Sequence, residues 1–186
     1  MKILLFTLAF LIVVVPTQSA EPSATRPFKG KVHAIPGLIE AEHFDLGKAG
    51  VAYADADEKN RGADYREPTQ VDIEKRSDAS NGHGIGWTRA GEWVVYSVEV
   101  KTAGTYRIEI PVASKKPGGE FHIEMNGRDV TGPIAVPDTG SWQKLQTVVH
   151  RNVRLTPGRY LMKVSMDRNG VSGSIADIDC FRFIKD

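Results

Sequence analysis

Two short stretches of the chain set a tryptophan directly behind a glycine-containing loop. Gly84–Gly86 runs into Trp87, and Thr139–Gly140–Ser141 runs into Trp142. A large aromatic held in such a loop, just ahead of an alternating strand, is presented on a rigid base, and binding residues concentrate in such places. Flat aromatic side chains bury the C–H face of a sugar ring while staying preorganised, and polar neighbours then read the hydroxyls. The expected polar partners are Asp177, at the start of the last strand, and Tyr65 and Arg66, in a long polar loop. Core filling is the alternative for both tryptophans. Trp93, inside a strand, is assigned to that structural role.

A second chemistry is the binding of a hard cation. An alternating strand at Leu38–Phe44 (LIEAEHF) sends Glu40 and Glu42 to one side. Asp179 from the closing strand, with loop carbonyls, could complete the oxygen shell that calcium takes. A solvated acidic face is the plainer alternative. Asp55–Gly62 (DADEKNRG) lacks the glycine and the closing glutamate of an EF-hand loop, so that motif is rejected. A third chemistry, glycoside hydrolysis, needs two carboxylates about 5 to 9.5 Å apart. Glu40, Glu42, Glu74, Glu92 and Asp177 are available, and spacing pairs none of them. The histidines (His33, His43, His83, His122, His150) show no metal-binding spacing, and neither GxSxG nor a P-loop occurs.

The elements that must position these residues read as strands. Val94, Tyr96, Val98 and Val100 alternate with Ser97 and Glu99; Tyr106–Val112, Phe121–Met125, Leu145–Val149 and Tyr160–Met166 repeat the period of two. Asn126–Gly127 and Thr156–Pro157–Gly158 are turn signals, and Pro111 suggests an edge or a strand end. No sustained helical stripe interrupts them. Many short strands with frequent turns predict an all-β fold, a β-sandwich jelly roll of two antiparallel sheets in a single domain.

Residues 1–20 read as a secretory signal peptide: Lys2, the apolar run Ile3–Val15, then polar residues and Ala20. Residues 21–34 read as a flexible leader and residues 35–186 as the folded module. The chain carries a net charge of +1 without blocks of like charge, which argues against nucleic acid and anionic membrane surfaces. Its single cysteine, Cys180, is expected to be a buried, unreactive thiol.

Taken in order, IEAEHFD, GVAYADAD, YREPTQVDIE, GIGWTRAGEWVVYSVEV, AGTYRIEIPVAS, PDTGSWQ and DIDCFRF make the chain resemble a family-6 carbohydrate-binding module from about Ile35 to Ile184. The resemblance implies a galactose-binding-like jelly roll that binds plant- or algal-type polysaccharide and performs no chemistry. It implies a loop cleft in which Trp87 and Trp142 sandwich a sugar ring. The family's usual asparagine near the last strand is Asp177 here, and a carboxylate accepts hydrogen bonds without donating them. The resemblance also implies a structural calcium at Glu40, Glu42 and Asp179, and a second cleft on the concave face in some members. The expectation is a secreted monomeric binding protein that acts at a cell surface or alongside a separate glycoside hydrolase. A structural or adhesive jelly roll without glycan binding is the alternative, and a small hydrolase using Glu92 or Asp177 is the third reading.

Overall fold

The computed structural model describes Thr25–Asp186 apart from Asp64 and Glu67; the expected signal peptide lies outside the described residues. Among these residues the chain forms strands β1 (His33–Ile35), β2 (Gly37–Glu40), β3 (Tyr53–Ala54), β4 (Ile73–Lys75), β5 (His83–Ile85), β6 (Trp93–Val100) and β7 (Gly104–Ser114). There follow β8 (Glu120–Met125), β9 (Arg128–Asp129), β10 (Ile134–Ala135), β11 (Ser141–Leu155), β12 (Gly158–Arg168), β13 (Asp177–Ile178) and β14 (Cys180–Lys185). Two short 3-10 turns occupy Phe28–Gly30 and Ala41–His43. No helix among the described residues is long and apolar enough to cross a membrane.

The strands make two sheets. One runs β1-β6-β12-β8-β10 with β3 on β6 and β9 on β8; the other runs β2-β14-β7-β13-β5-β4 with β11 along β7. Pairing is antiparallel apart from β1, which lies parallel to β6 through His33 opposite Val98. The period-2 faces supply the core: Val94, Tyr96, Val98 and Val100 from β6, Phe121 and Ile123 from β8, and Met162 and Val164 from β12 share one buried cluster with Tyr106, Ile108, Ile110 and Val112 from β7 and Phe181 and Phe183 from β14. The expected β-sandwich in a single domain is what the chain forms.

Three details differ from expectation. Pro111 lies inside β7, not at an edge. Within a strand the N and C=O of one residue face the same neighbour, and the Pro111 carbonyl accepts from Asp179 N at 3.1 Å. The N–H that proline lacks is therefore missing on the β13–β14 side, where the closing strand breaks at Asp179 instead of running on. Second, the strand carrying Glu40 ends there, and Glu42 sits in the 3-10 turn Ala41–His43. Third, the segment expected to be a flexible leader is part of the fold from Thr25 onward. Arg26 exchanges backbone hydrogen bonds with Leu46 (2.9 and 2.7 Å), and His33–Ile35 is β1. Backbone pairing holds this segment, and composition does not register backbone pairing.

Candidate functional site

Trp87 and Trp142 line one cleft of about 430 Å³ with Glu74, Gln143, Ser172, Ser174 and Asp177. Trp87 is held by its neighbours while its own ring stays 38% exposed. Gly86 is buried beneath it. On the other side, buried Thr88 donates from Oγ1 to Ala176 O at 2.6 Å and accepts from Ala176 N at 3.0 Å; Ile175 N donates to Thr88 O at 2.7 Å. The loop is thereby latched to the chain entering β13. Trp87 itself takes a left-handed backbone, φ +50°, a conformation L-residues adopt at a cost of about 1–2 kcal/mol.

Trp142 stands at the start of β11, where pairing to β7 slips between Ser141 and Gln146. That irregularity frees residues 142–145 from the ladder. The turn before it is pinned to β7: Thr139 N donates to Ser114 O at 3.0 Å, and Thr139 Oγ1 accepts from Ser114 N at 3.0 Å. Gly140 supplies the positive φ of +82° that the turn requires. Both tryptophans therefore come from short loops fastened at each end.

The floor of the cleft is an ion-pair network around Arg76, which is 2% exposed. Its Nη1 donates to Glu74 Oε1 at 2.7 Å and to Asp177 Oδ2 at 3.1 Å. Its Nε and Nη2 donate to the two oxygens of Asp78 at 3.1 and 3.0 Å. β5 lies between β4 and β13, and Gly84 within it and Gly86 just after it make these contacts possible. A Cβ on Gly84 would meet Arg76 Cδ at 3.3 Å and Ile178 O at 2.8 Å, and one on Gly86 would meet Asp177 Oδ1 at 3.1 Å and Glu74 Oε2 at 3.3 Å. Burial, and then the charge of Glu74, push Asp177 up to about 7 against the opposing pull of Arg76. Asp78 moves the other way: partial burial raises it, but the hydrogen bond and charge of Arg76 bring it below the ordinary aspartate value.

Of the acids expected to hold a cation, Glu40 and Asp179 meet at another corner, and Glu42 is not among the side chains whose ligand atoms come together there. Asp179 Oδ1 accepts from Ser80 N at 2.9 Å, and the single Ser80 hydroxyl lies between Glu40 Oε2 at 2.5 Å and Asp179 Oδ1 at 3.0 Å. Glu40, Asp179 and Cys180 can bring ligand atoms within 4.8 Å of one another. Glu42 is fully buried; Asn81 Nδ2 donates to its Oε1 at 2.6 Å, while Oε2 has no hydrogen-bond partner. Burial pushes Glu42 up to about 7 and the Cys180 thiol up to about 12, so the thiol is inert.

Tyr65 and Arg66 are not at the cleft, contrary to expectation. The Arg66 guanidinium lies 4.0 Å from the ring centroids of both Phe28 and Phe44 and donates to Glu42 O, Phe44 O and Asp45 O at 2.8, 2.6 and 3.3 Å. Tyr65 stacks on His83, with centroids 4.4 Å apart, and its hydroxyl meets His43 Nε2 at 2.8 Å. They fasten the long loop and the N-terminal segment to the Ala41–His43 turn, using partners distant in sequence. Glu92 is also structural in its bonding: its carboxylate caps Arg89 N and Ala56 N at 2.8 and 3.2 Å and does not line the cleft. The residues missed by sequence reasoning are Arg76, Asp78, Gln143, Ser172 and Ser174, with Glu74 seen only as one acid among several. The available signal was Glu74 and Arg76 two apart in sequence at the end of a short strand, a spacing that in extended chain places opposite charges on the same face.

Comparison with known proteins gives concordant results. Residues 61–185 match the family model described as carbohydrate binding module (family 6). The α subunit of clotting factor G from Tachypleus tridentatus is 34% identical over 106 residues, 56% of this chain and 16% of that protein. A β-1,3-glucan-binding family-6 module from Bacillus halodurans superposes with a TM-score of 0.62 at 27% identity, covering 82% of this chain and 98% of that one. A module from the Cellvibrio mixtus lichenase 5A, solved with cellotriose, gives a TM-score of 0.59 at 26% identity over 81% of this chain and 98% of that one. The chain spans about a quarter or less of the curated relatives it matches.

Proposed function

Since the chain belongs to carbohydrate-binding module family 6, we propose that it is a secreted, non-catalytic glycan-binding protein whose ligand stacks between Trp87 and Trp142. The observation that carries this reading is the single cleft lined by both tryptophans, with Glu74, Gln143, Ser172, Ser174 and Asp177 as its polar wall. The aromatic faces take the C–H surface of a ring and the polar wall takes its hydroxyls. The names of the Bacillus and Cellvibrio modules, a β-1,3-glucan binder and a cellotriose complex, make β-linked glucans the first ligands to try. A separate glycoside hydrolase is the natural partner, since binding alone leaves the polysaccharide intact. The apolar run at Ile3–Val15 supports export.

We assign the corner of Glu40, Glu42 and Asp179 to calcium. The donors are hard oxygens, and the orphaned, buried Glu42 Oε2 fits a cation that completes its coordination. Bound there, calcium would neutralise the acids and brace the Ala41–His43 turn against the β13–β14 break.

Calorimetric titration with gluco-, xylo- and agaro-oligosaccharides tests the glycan reading. Binding to one series, weakened about fivefold or more by Trp142→Ala or Trp87→Ala, is expected, since each stacked ring contributes about 1 kcal/mol. Binding that ignores both substitutions would remove the cleft from the proposal.

A further inference from the structure

We propose that this cleft selects an amino sugar, its ammonium group lodged against Glu74 and Asp177 while its ring stacks between Trp87 and Trp142. The inference rests on the glycan-binding reading and adds the chemical class of the ligand.

The argument starts from which charges reach the cleft. Its lining offers two carboxylates, one amide and two serine hydroxyls, and no cationic side chain. The cation nearest these acids, Arg76, is buried behind them, and its Nε, Nη1 and Nη2 are all committed to Glu74, Asp177 and Asp78. One guanidinium thus faces three carboxylates. Asp78 takes Nε and Nη2, and Glu74 and Asp177 share the single nitrogen Nη1. The backbone of Trp87 also hydrogen-bonds the Asp177 carboxylate, and the oxygens that Arg76 does not take are Glu74 Oε2 and Asp177 Oδ1. Both flank Gly86, directly below the Trp87 loop, and both would crowd any side chain placed there. Gln143 Nε2 donates to Glu74 Oε1 at 3.3 Å and so leaves Oε2 free of it.

These oxygens are acceptors. A neutral sugar hydroxyl satisfies one by donating, but brings lone pairs that this wall does not ask for. An ammonium has three donors and no acceptor. It also carries the charge that the wall lacks, and a charge-assisted hydrogen bond to carboxylate is about twice as strong as a neutral one. Asp177 is 4% exposed, so a cation seated against it is weakly screened by solvent. N-acetylation would remove the ligand's charge and add an acetyl group where the wall offers carboxylates.

The test is calorimetric titration with oligomers of glucosamine, N-acetylglucosamine and glucose of equal length and linkage, at a fixed pH where the amine is protonated. The glucosamine series is expected to bind tenfold or more tighter than either neutral series, with an affinity that falls as salt rises. Asp177→Asn and Glu74→Gln are each expected to collapse that ratio; using both guards against one failing to fold, which circular dichroism would reveal. Equal or tighter binding of the neutral series that is lost in Trp142→Ala would overturn the amino-sugar proposal and leave the glycan reading standing. Glucosamine binding that survives Trp142→Ala would place the attraction outside the cleft and overturn it as well. No binding to any glycan, these or those above, would sink both.

Discussion

Arg76 shows how one buried residue organises a cleft that it does not itself line. Its guanidinium holds Glu74, Asp78 and Asp177 together, and two of those acids line the cleft. Removing one partner of a buried charge network is far more damaging than never building it, because the remaining charges stay desolvated. Arg76→Met should therefore cost about 3–5 kcal/mol in urea denaturation near neutral pH. The sign of its pH dependence follows from Asp78. Arg76 depresses that carboxyl below 3.8 in the folded state, so its stabilisation is present above the unfolded value and lost as pH falls through the folded one. The deficit of the variant should accordingly shrink in acid at and below 3.8; a deficit constant with pH would show that Arg76 acts by packing alone.

At the scale of elements, β5 works by what it omits. It is wedged between β4 and β13, Ile73 and Ile178 both pairing with Ile85, and Gly84 within it and Gly86 just after it leave the backbone bare where Arg76 crosses to Asp177. Alanine at the two positions separates stability from binding. At Gly84 the added Cβ meets the backbone oxygen of Ile178 at 2.8 Å, so the strands must part. Gly84→Ala is expected to destabilise by about 1–3 kcal/mol. At Gly86 it meets only side-chain atoms, carboxylate oxygens at 3.1 and 3.3 Å that can turn aside and Glu74 Cβ at an ordinary 3.6 Å. Gly86→Ala should cost less stability than Gly84→Ala and lose more glycan affinity per unit of stability lost. Thermal melts and titrations on both variants check this order, and the reverse order would count against the bare-strand account.

Across the whole molecule, the cleft and the acidic corner lie either side of one interruption. The closing strand breaks at Asp179 opposite Pro111; Asp177 just before it faces the cleft, and Asp179 turns to Ser80 and Glu40. A cation at Glu40, Glu42 and Asp179 would brace the folded sandwich and bind the unfolded chain little. At a hundredfold excess over its Kd it should add about 2.7 kcal/mol of stability. The melting temperature should rise with calcium and drop in chelator, and Glu42→Gln should abolish the difference. A melting temperature indifferent to calcium and chelator would remove the ion from this account.

How much of this was legible in the chain follows from the range of the interactions. The alternation of Val94, Tyr96, Val98 and Val100 is a local pattern, and with its counterparts it determined an all-β sandwich, because a strand exposes alternate residues to opposite faces whatever it later pairs with. The loops before Trp87 and Trp142 were equally local, and both tryptophans reach one cleft. Arg76 and Asp177 are 101 residues apart, and only the β4-β5-β13 pairing brings them to 3.1 Å. Arg66 was lost to the cleft for a similar reason: the rings that clamp it, Phe28 and Phe44, come from segments whose docking no local period reports. Residue type and spacing thus decided which side chains face in and which loops present aromatics. Register between distant strands decided which charges meet, because an ion pair depends on distance in space and the chain specifies that distance only after it has folded.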